Sequence, residues 1–211
     1  MDLKQITHAD NVRLSDDGHA VRILDQSRLP NETVYLELSS PEELYEAIAS
    51  LRVRGAPAIG IFAGYALYVL ALQSRETQVG PFVAECRKHR DYLNASRPTA
   101  VNLKHMLDRV LAVAESMPCA DVASIQDAMG QAARAIHQED IAMCTAISEY
   151  GLSLVKAGDG ILTHCNAGPL ATSRYGTGLG PLLPGQGAGH PPPRLVRRDP
   201  PPPPGRPADH L

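Results

Sequence analysis

The chain has 211 residues, 44% of them hydrophobic and 20% charged, with a formal net charge of −3. That composition fits a soluble globular protein of one large domain or one and a half ordinary ones, and it carries no basic surplus for nucleic acid. Eleven of the 18 prolines lie in residues 181–211, with four Arg and two Asp, so the tail is a different kind of sequence from residues 1–180.

The opening MDLKQITHADNVRLSDDGHA is polar and lacks the apolar core of a signal peptide. Cys86, Cys119, Cys144 and Cys165 are too widely spaced for a C-x-x-C pair or a zinc set, which points to reduced thiols in a cytosol and no metal. Residues 20–37 read as two short strands, VRILD and TVYLE, around a Leu29-Pro30-Asn31 turn. Ser40-Pro41-Glu42-Glu43 has the form of a capping box, and the helix after it puts Leu44, Ile48 and Leu51 on one face. A second helix is predicted over residues 57–74. The 20 residues between Arg54 and Arg75 carry no charge, long enough on paper to span a bilayer. Pro57, Gly60, Gly64 and the terminal Gln73-Ser74, with no basic flank that sets an orientation, favour a helix buried in a protein core instead. Further helices are predicted over residues 81–93, 99–117 and, as one or two, 120–157. Cys86, Cys119 and Cys144 fall within these helical patterns and read as packing.

The character changes at Gly158-Asp159-Gly160, where a turn feeds the β-type run ILTH and then CNAGPLATSRYGTG. Strand, small-residue loop and helix start form the opening of a doubly wound α/β domain, in which ligands collect at strand C-terminal ends. The predicted fold class is therefore α/β. A mostly helical N-terminal domain with a small β element occupies residues 1–157. A Rossmann-like doubly wound domain begins over 158–180 and is cut short. A Pro-rich tail, disordered or polyproline II, fills 181–211.

Three stretches could carry chemistry. Val53-Arg54-Gly55-Ala56-Pro57 leads an Arg and a Gly-Ala pair into a helix start, where free backbone N–H groups and a guanidinium suit a phosphate. A tight turn before a closely packed helix, with Arg54 in water, accounts for the same residues. Ser96-Arg97-Pro98-Thr99-Ala100-Val101-Asn102 again sets an Arg ahead of a helix start, with Thr99 near the cap. Two such sites would suit a sugar phosphate, although nothing in the spacing says that they meet. In Thr163-His164-Cys165-Asn166-Ala167-Gly168 a cysteine ends a strand, where backbone amides polarise it or a ligand. His164 and Cys165 point to opposite faces of that strand, and a buried inert cysteine is the alternative. The acid pair Glu139-Asp140 reads as a solvated helix face or as a catalytic pair.

VRGAPAIGI (53–61), SRPTAVNL (96–103), EDIAMC (139–144) and GILTHCNAGPLATSRYGTG (160–178), in this order and spacing, resemble the methylthioribose-1-phosphate isomerases. This is an enzyme family of methionine salvage, related to ribose-1,5-bisphosphate isomerases and to regulatory subunits of a translation initiation factor exchange complex. The resemblance covers about residues 16–180. It implies an aldose–ketose isomerase that converts 5-methylthioribose 1-phosphate to 5-methylthioribulose 1-phosphate with no metal or organic cofactor. By hydride shift or by proton transfer, the reaction would run in a site shielded from water. Cys165 would be one of two catalytic residues. Arg54, Gly55, Ala56 and Arg97 would bind substrate, with Asn166 and Gly168 in support. The implied partner is a phosphorylated sugar, with no nucleic acid and no membrane, in a cytoplasmic protein that is a homodimer when full length. Ribose 1,5-bisphosphate as substrate, or a non-catalytic truncated homologue, are the alternatives.

After Gly180 the family continues with a D-E-T-R-P-x-x-Q-G-x-R-L-T segment, then the second catalytic residue, an aspartate, and an Asn-Lys pair; none is written here. Codons for residues 197–210, read one base later, can decode as D-E-T-R-P-L-L-Q-G-A-R-L-T-T, and those for 189–196 as D-I-H-L-H-V-W-C. The tail is therefore expected to be family sequence in a shifted frame, with the slip near residues 186–189. Without the aspartate, little turnover is expected, and the first strand of the second domain would leave an apolar edge unpaired.

Overall fold

The computed structural model describes residues 11–156, 158–182 and 194–197. Strands β1 (Val12–Leu14), β2 (Val21–Leu24) and β3 (Tyr35–Leu38) form an antiparallel sheet in the order β1-β2-β3. Its register pairs Val12 with Ile23 and Val21 with Leu38, and these four apolar side chains are buried together. β2 and β3 match the two predicted strands. β1 was not foreseen, because three residues are too few to display an alternation.

Helix α1 (Pro41–Ala49) opens as predicted: Ser40 accepts from the Glu43 N–H while the Glu43 carboxylate accepts from the Ser40 N–H at 3.0 Å. Leu44 and Ile48 are buried. Leu51 does not join them. The helix ends at Ala49, Leu51 takes a left-handed φ of 63°, and its side chain is exposed.

Helix α2 (Ala56–Gln73) is apolar on every side, and a helix of that kind can only be buried. It is long and apolar enough to cross a membrane, but 78% of it lies inside the protein. Around it pack α3 (Val79–Ala95), α4 (Val101–Glu115), the 33-residue α5 (Val122–Leu154) and the sheet. Phe62, Leu67, Leu103, Leu107, Ile125 and Met129 are fully buried at the centre. Gly60 lets α4 approach closely: a Cβ there would lie 2.5 Å from the Asn102 amide. The region predicted as one or two helices is a single helix, capped by the Asp121 carboxylate on the Ser124 N–H.

Two details depart from expectation. α4 begins at Val101 after Ala100, with no side-chain cap, so Thr99 lies in the preceding turn. α4 also ends at Glu115, just before Pro118, which leaves Cys119 exposed in a turn instead of packed in a helix.

Strand β4 (Gly160–Thr163) pairs in parallel with β5 (Arg194–Arg197), the geometry with which a doubly wound sheet starts. The expected irregular tail is thus corrected at these four residues. Arg-Leu-Val-Arg holds the tail's one Leu-Val pair between proline runs, and the edge of β4 supplies its hydrogen bonds. Residues 183–193 and 198–211, with most of the tail, lie outside the described residues, as do residues 1–10 and 157. The architecture is α/β: a helical body with a small antiparallel sheet, followed by a parallel strand pair.

Candidate functional site

Two of the three candidate stretches meet at the start of α2. Gly55 caps the helix with φ 96°, a conformation that disfavours any residue with a Cβ. A Cβ at Gly55 would lie 2.5 Å from the Ala171 Cβ. The Ala171 carbonyl accepts from the Ala58 N–H at 3.0 Å, which satisfies one orphan donor of the helix start. The small-residue loop after β4 therefore lies directly against the Arg-Gly-Ala-Pro turn.

That loop is fastened by the side chains of Asn11 and Gln26. The Asn11 side-chain amide reaches the carbonyls of Pro169, Leu170 and Thr172 at 2.8, 2.9 and 3.0 Å, and Gln26 donates to Leu170 at 2.7 Å. From α5, the buried Cys144 lies beside Thr172 and Ser173 of this loop. Burial, and then the Asp140 charge, push the Cys144 thiol up, so it stays protonated. Asn11 and Gln26 had no motif to mark them. A polar residue beside a short strand shows its role only when its partner, more than 140 residues away, is in place.

A cavity of about 740 Å³ opens beside this junction. Gly55, Ala56 and Pro57 form one wall, and Arg97, Thr99 and Asn102 form another. The Asn102 amide donates to the Ala56 carbonyl at 2.6 Å, so the turn before α4 is tied to the first turn of α2. The two Arg-plus-helix-start stretches do meet. Arg97 is half-buried and lines the same cavity as the α2 N-terminus. Both favour an anion. Met106, Ile136 and Met143 supply apolar wall, and Glu139 and Asp140 also line the cavity.

The acid pair divides. Glu139 is exposed and holds Arg109 through two bonds of 2.5 and 2.6 Å, which keep its carboxyl below the usual carboxylate range. Asp140 is buried at 7% exposure, with one oxygen 3.8 Å from the Cys144 sulfur.

Arg54 is half-buried immediately before α2, and Gly168 is buried inside the loop; neither contributes to that cavity wall. Cys165 and Asn166 stand between β4 and the loop, also outside the wall. Cys165 is exposed with a left-handed φ of 62°, unusual for a residue with a side chain. The Asn166 side chain accepts from the Gly168 N–H at 3.4 Å. His164 is exposed too, and lies beyond the end of the strand. Among the described residues no cluster of His, Cys, Asp and Glu could hold a metal ion.

The chain is 49% identical over 179 residues to a methylthioribose-1-phosphate isomerase of Symbiobacterium thermophilum, a match that covers 85% of this chain and 50% of that protein. It is 48% identical, over 85% of this chain and 52% of the relative, to a 5-deoxyribose 1-phosphate isomerase of Petrotoga mobilis. The crystal structure of 5-methylthioribose 1-phosphate isomerase from Pyrococcus horikoshii superposes with a TM-score of 0.82 at 33% identity, covering 90% of this chain and 54% of that one. The chain thus spans about half the length of the curated relatives it matches. The model of the initiation factor 2 subunit family matches residues 52–173, from the turn before α2 to the loop that locks it, and the chain belongs to that family.

Proposed function

We propose that this chain carries the substrate-binding part of a sugar-phosphate aldose–ketose isomerase, with 5-methylthioribose 1-phosphate as the substrate, in the cytoplasm. The observation that carries this reading is the shared cavity of the α2 start and Arg97. A helix N-terminus with no side-chain cap and an arginine lining the same cavity suit a phosphate ester. Apolar wall at Met106, Ile136 and Met143 suits the methylthio or deoxy end of the same molecule. Relatives named for 5-methylthioribose and for 5-deoxyribose 1-phosphate share an uncharged 5-position, which favours these sugars over ribose 1,5-bisphosphate.

In this reading Gly55, Ala56 and Arg97 hold the phosphate, with Arg54 adding charge from behind the turn. Cys165 acts on the sugar carbons from the end of β4, supported by Asn166 and the Gly168 turn. Its left-handed backbone and exposure suit a reactive group set on a loop. Conversion of an aldose phosphate to its ketose moves two hydrogens, one between carbon atoms and one between oxygens. The protein's part is to position the ring, exclude water and hold a proton at the Cys165 sulfur. The full-length protein is proposed to be a homodimer.

The test follows formation of the 2-ketose by NMR, in the 211-residue chain and in a longer chain whose codons 197–210 are read one base later. The longer chain is expected to turn over, and Cys165→Ala to abolish that turnover; the shorter is expected to bind substrate with little conversion. Binding without conversion in the longer chain would favour the second reading, a non-catalytic sugar-phosphate sensor, to which the family's initiation-factor name points. No binding by either would overturn both.

A further inference from the structure

We propose that Asp140 is the carboxylate that recognises the sugar hydroxyls in this cavity, an inference that rests on the sugar-phosphate reading above. Asp140 lies on α5, lines the cavity, and is 7% exposed. A carboxylate so far from water needs hydrogen-bond donors. Among the described residues its hydrogen-bond partner is the Cys144 thiol at 3.8 Å, a weak donor, and no ion pair of the described residues includes it. Its neighbour cannot take the role. Glu139, which also lines the cavity, is committed to Arg109 by two short bonds.

The position of Asp140 is fixed from behind. The Cys144 thiol, buried beside Thr172 and Ser173 of the loop that locks α2, gives its proton toward Asp140. The cavity wall then carries polar groups of opposite character. The α2 start and Arg97 attract an anion, and Asp140 repels one. A ligand whose phosphate is held by the α2 start and Arg97 has its ring hydroxyls as the donors left for Asp140. Adjacent hydroxyls can donate to one carboxylate in charge-assisted bonds, stronger than bonds between neutral groups. Asp140 thus distinguishes a sugar phosphate from a simple phosphate.

The test measures dissociation constants by calorimetry for three ligands on the 211-residue chain and on its Asp140→Asn variant. The ligands are 5-methylthioribose 1-phosphate, its 2,3-dideoxy analogue, and inorganic phosphate. Asparagine preserves shape while removing the charge, and unfolding midpoints of the two proteins verify that the fold is intact. The variant is expected to bind the sugar phosphate about 10- to 100-fold more weakly. Inorganic phosphate should bind the two equally, and the dideoxy analogue should not distinguish them, because the coupling lies between the hydroxyls and the carboxylate. Equal affinity of both proteins for the sugar phosphate would overturn the role of Asp140 and leave the functional reading standing. Equal weakening for all three ligands would assign Asp140 to structure and overturn the proposal. If the unaltered chain bound no sugar phosphate, the functional reading itself would fall, and this inference with it. Should Asp140→Asn not fold, the unaltered chain decides: a dideoxy analogue that binds as well as the parent sugar overturns the proposal.

Discussion

Gly55 is where one side chain would undo the site. Its φ of 96° and the 2.5 Å approach of Ala171 leave no room for a methyl group. Gly55→Ala is expected to cost about 1–3 kcal/mol from the backbone alone, and to weaken phosphate-ester binding as the loop is displaced. A thermal melt and a titration of the same sample check both. The cysteines allow a second prediction. Cys119 and Cys165 are exposed, whereas Cys86 and Cys144 are buried, and burial pushes the Cys86 thiol up to about 12. A thiol reagent at neutral pH should label two residues quickly and the other two only after unfolding. Rapid loss of four native thiols would contradict the packing described here.

Asp25 shows how one buried charge is offset. Burial opposes its ionisation, but bonds from the Ser27 N–H and hydroxyl and from the Arg52 guanidinium outweigh this and hold its carboxyl below 3.8. A depressed folded-state value means stability that is complete above the unfolded value and lost as pH falls through the folded one. Acid unfolding should therefore steepen below about pH 4. Asp25→Asn should flatten that dependence while lowering stability near neutrality by about 1.5–3 kcal/mol. Denaturant midpoints across pH measure it.

At the scale of elements, legibility followed the strength of the local signal. The Ser40 capping box, the apolar α2 and the β2–β3 pair were readable because cap chemistry, all-round hydrophobicity and alternation are properties of neighbouring residues. Ser40→Ala should accordingly cost about 1 kcal/mol, read from the unfolding midpoint. β1, the left-handed Leu51 and the exposed Cys119 were not readable, since each depends on where an element stops. The candidate site divides in the same way. Arg97 and the Gly55-Ala56 turn stood out as motifs, but their meeting at one cavity, tied by Asn102 to Ala56, is a tertiary fact. Glu139 and Asp140, one acid pair in sequence, part because α5 turns about 100° between them, sending one to Arg109 and the other inward.

For the whole molecule, the long-range links matter most. Asn11 and Gln26, at the start of the sheet, hold the loop at 169–172, so the first and last described portions of the main body close on each other around the start of α2. That closure braces the α2 start, which forms part of the cavity wall, and ligand binding should stabilise the fold as a unit. The central claim is that this cavity takes a sugar phosphate, and the most direct measurement is the unfolding midpoint with increasing 5-methylthioribose 1-phosphate, for the chain and for Arg97→Ala. A ligand at about 100 times its dissociation constant contributes about 2.7 kcal/mol, a rise of several degrees. The account predicts that rise in the unaltered chain and its loss in Arg97→Ala. An unmoved midpoint, or the same rise in both proteins, would contradict it.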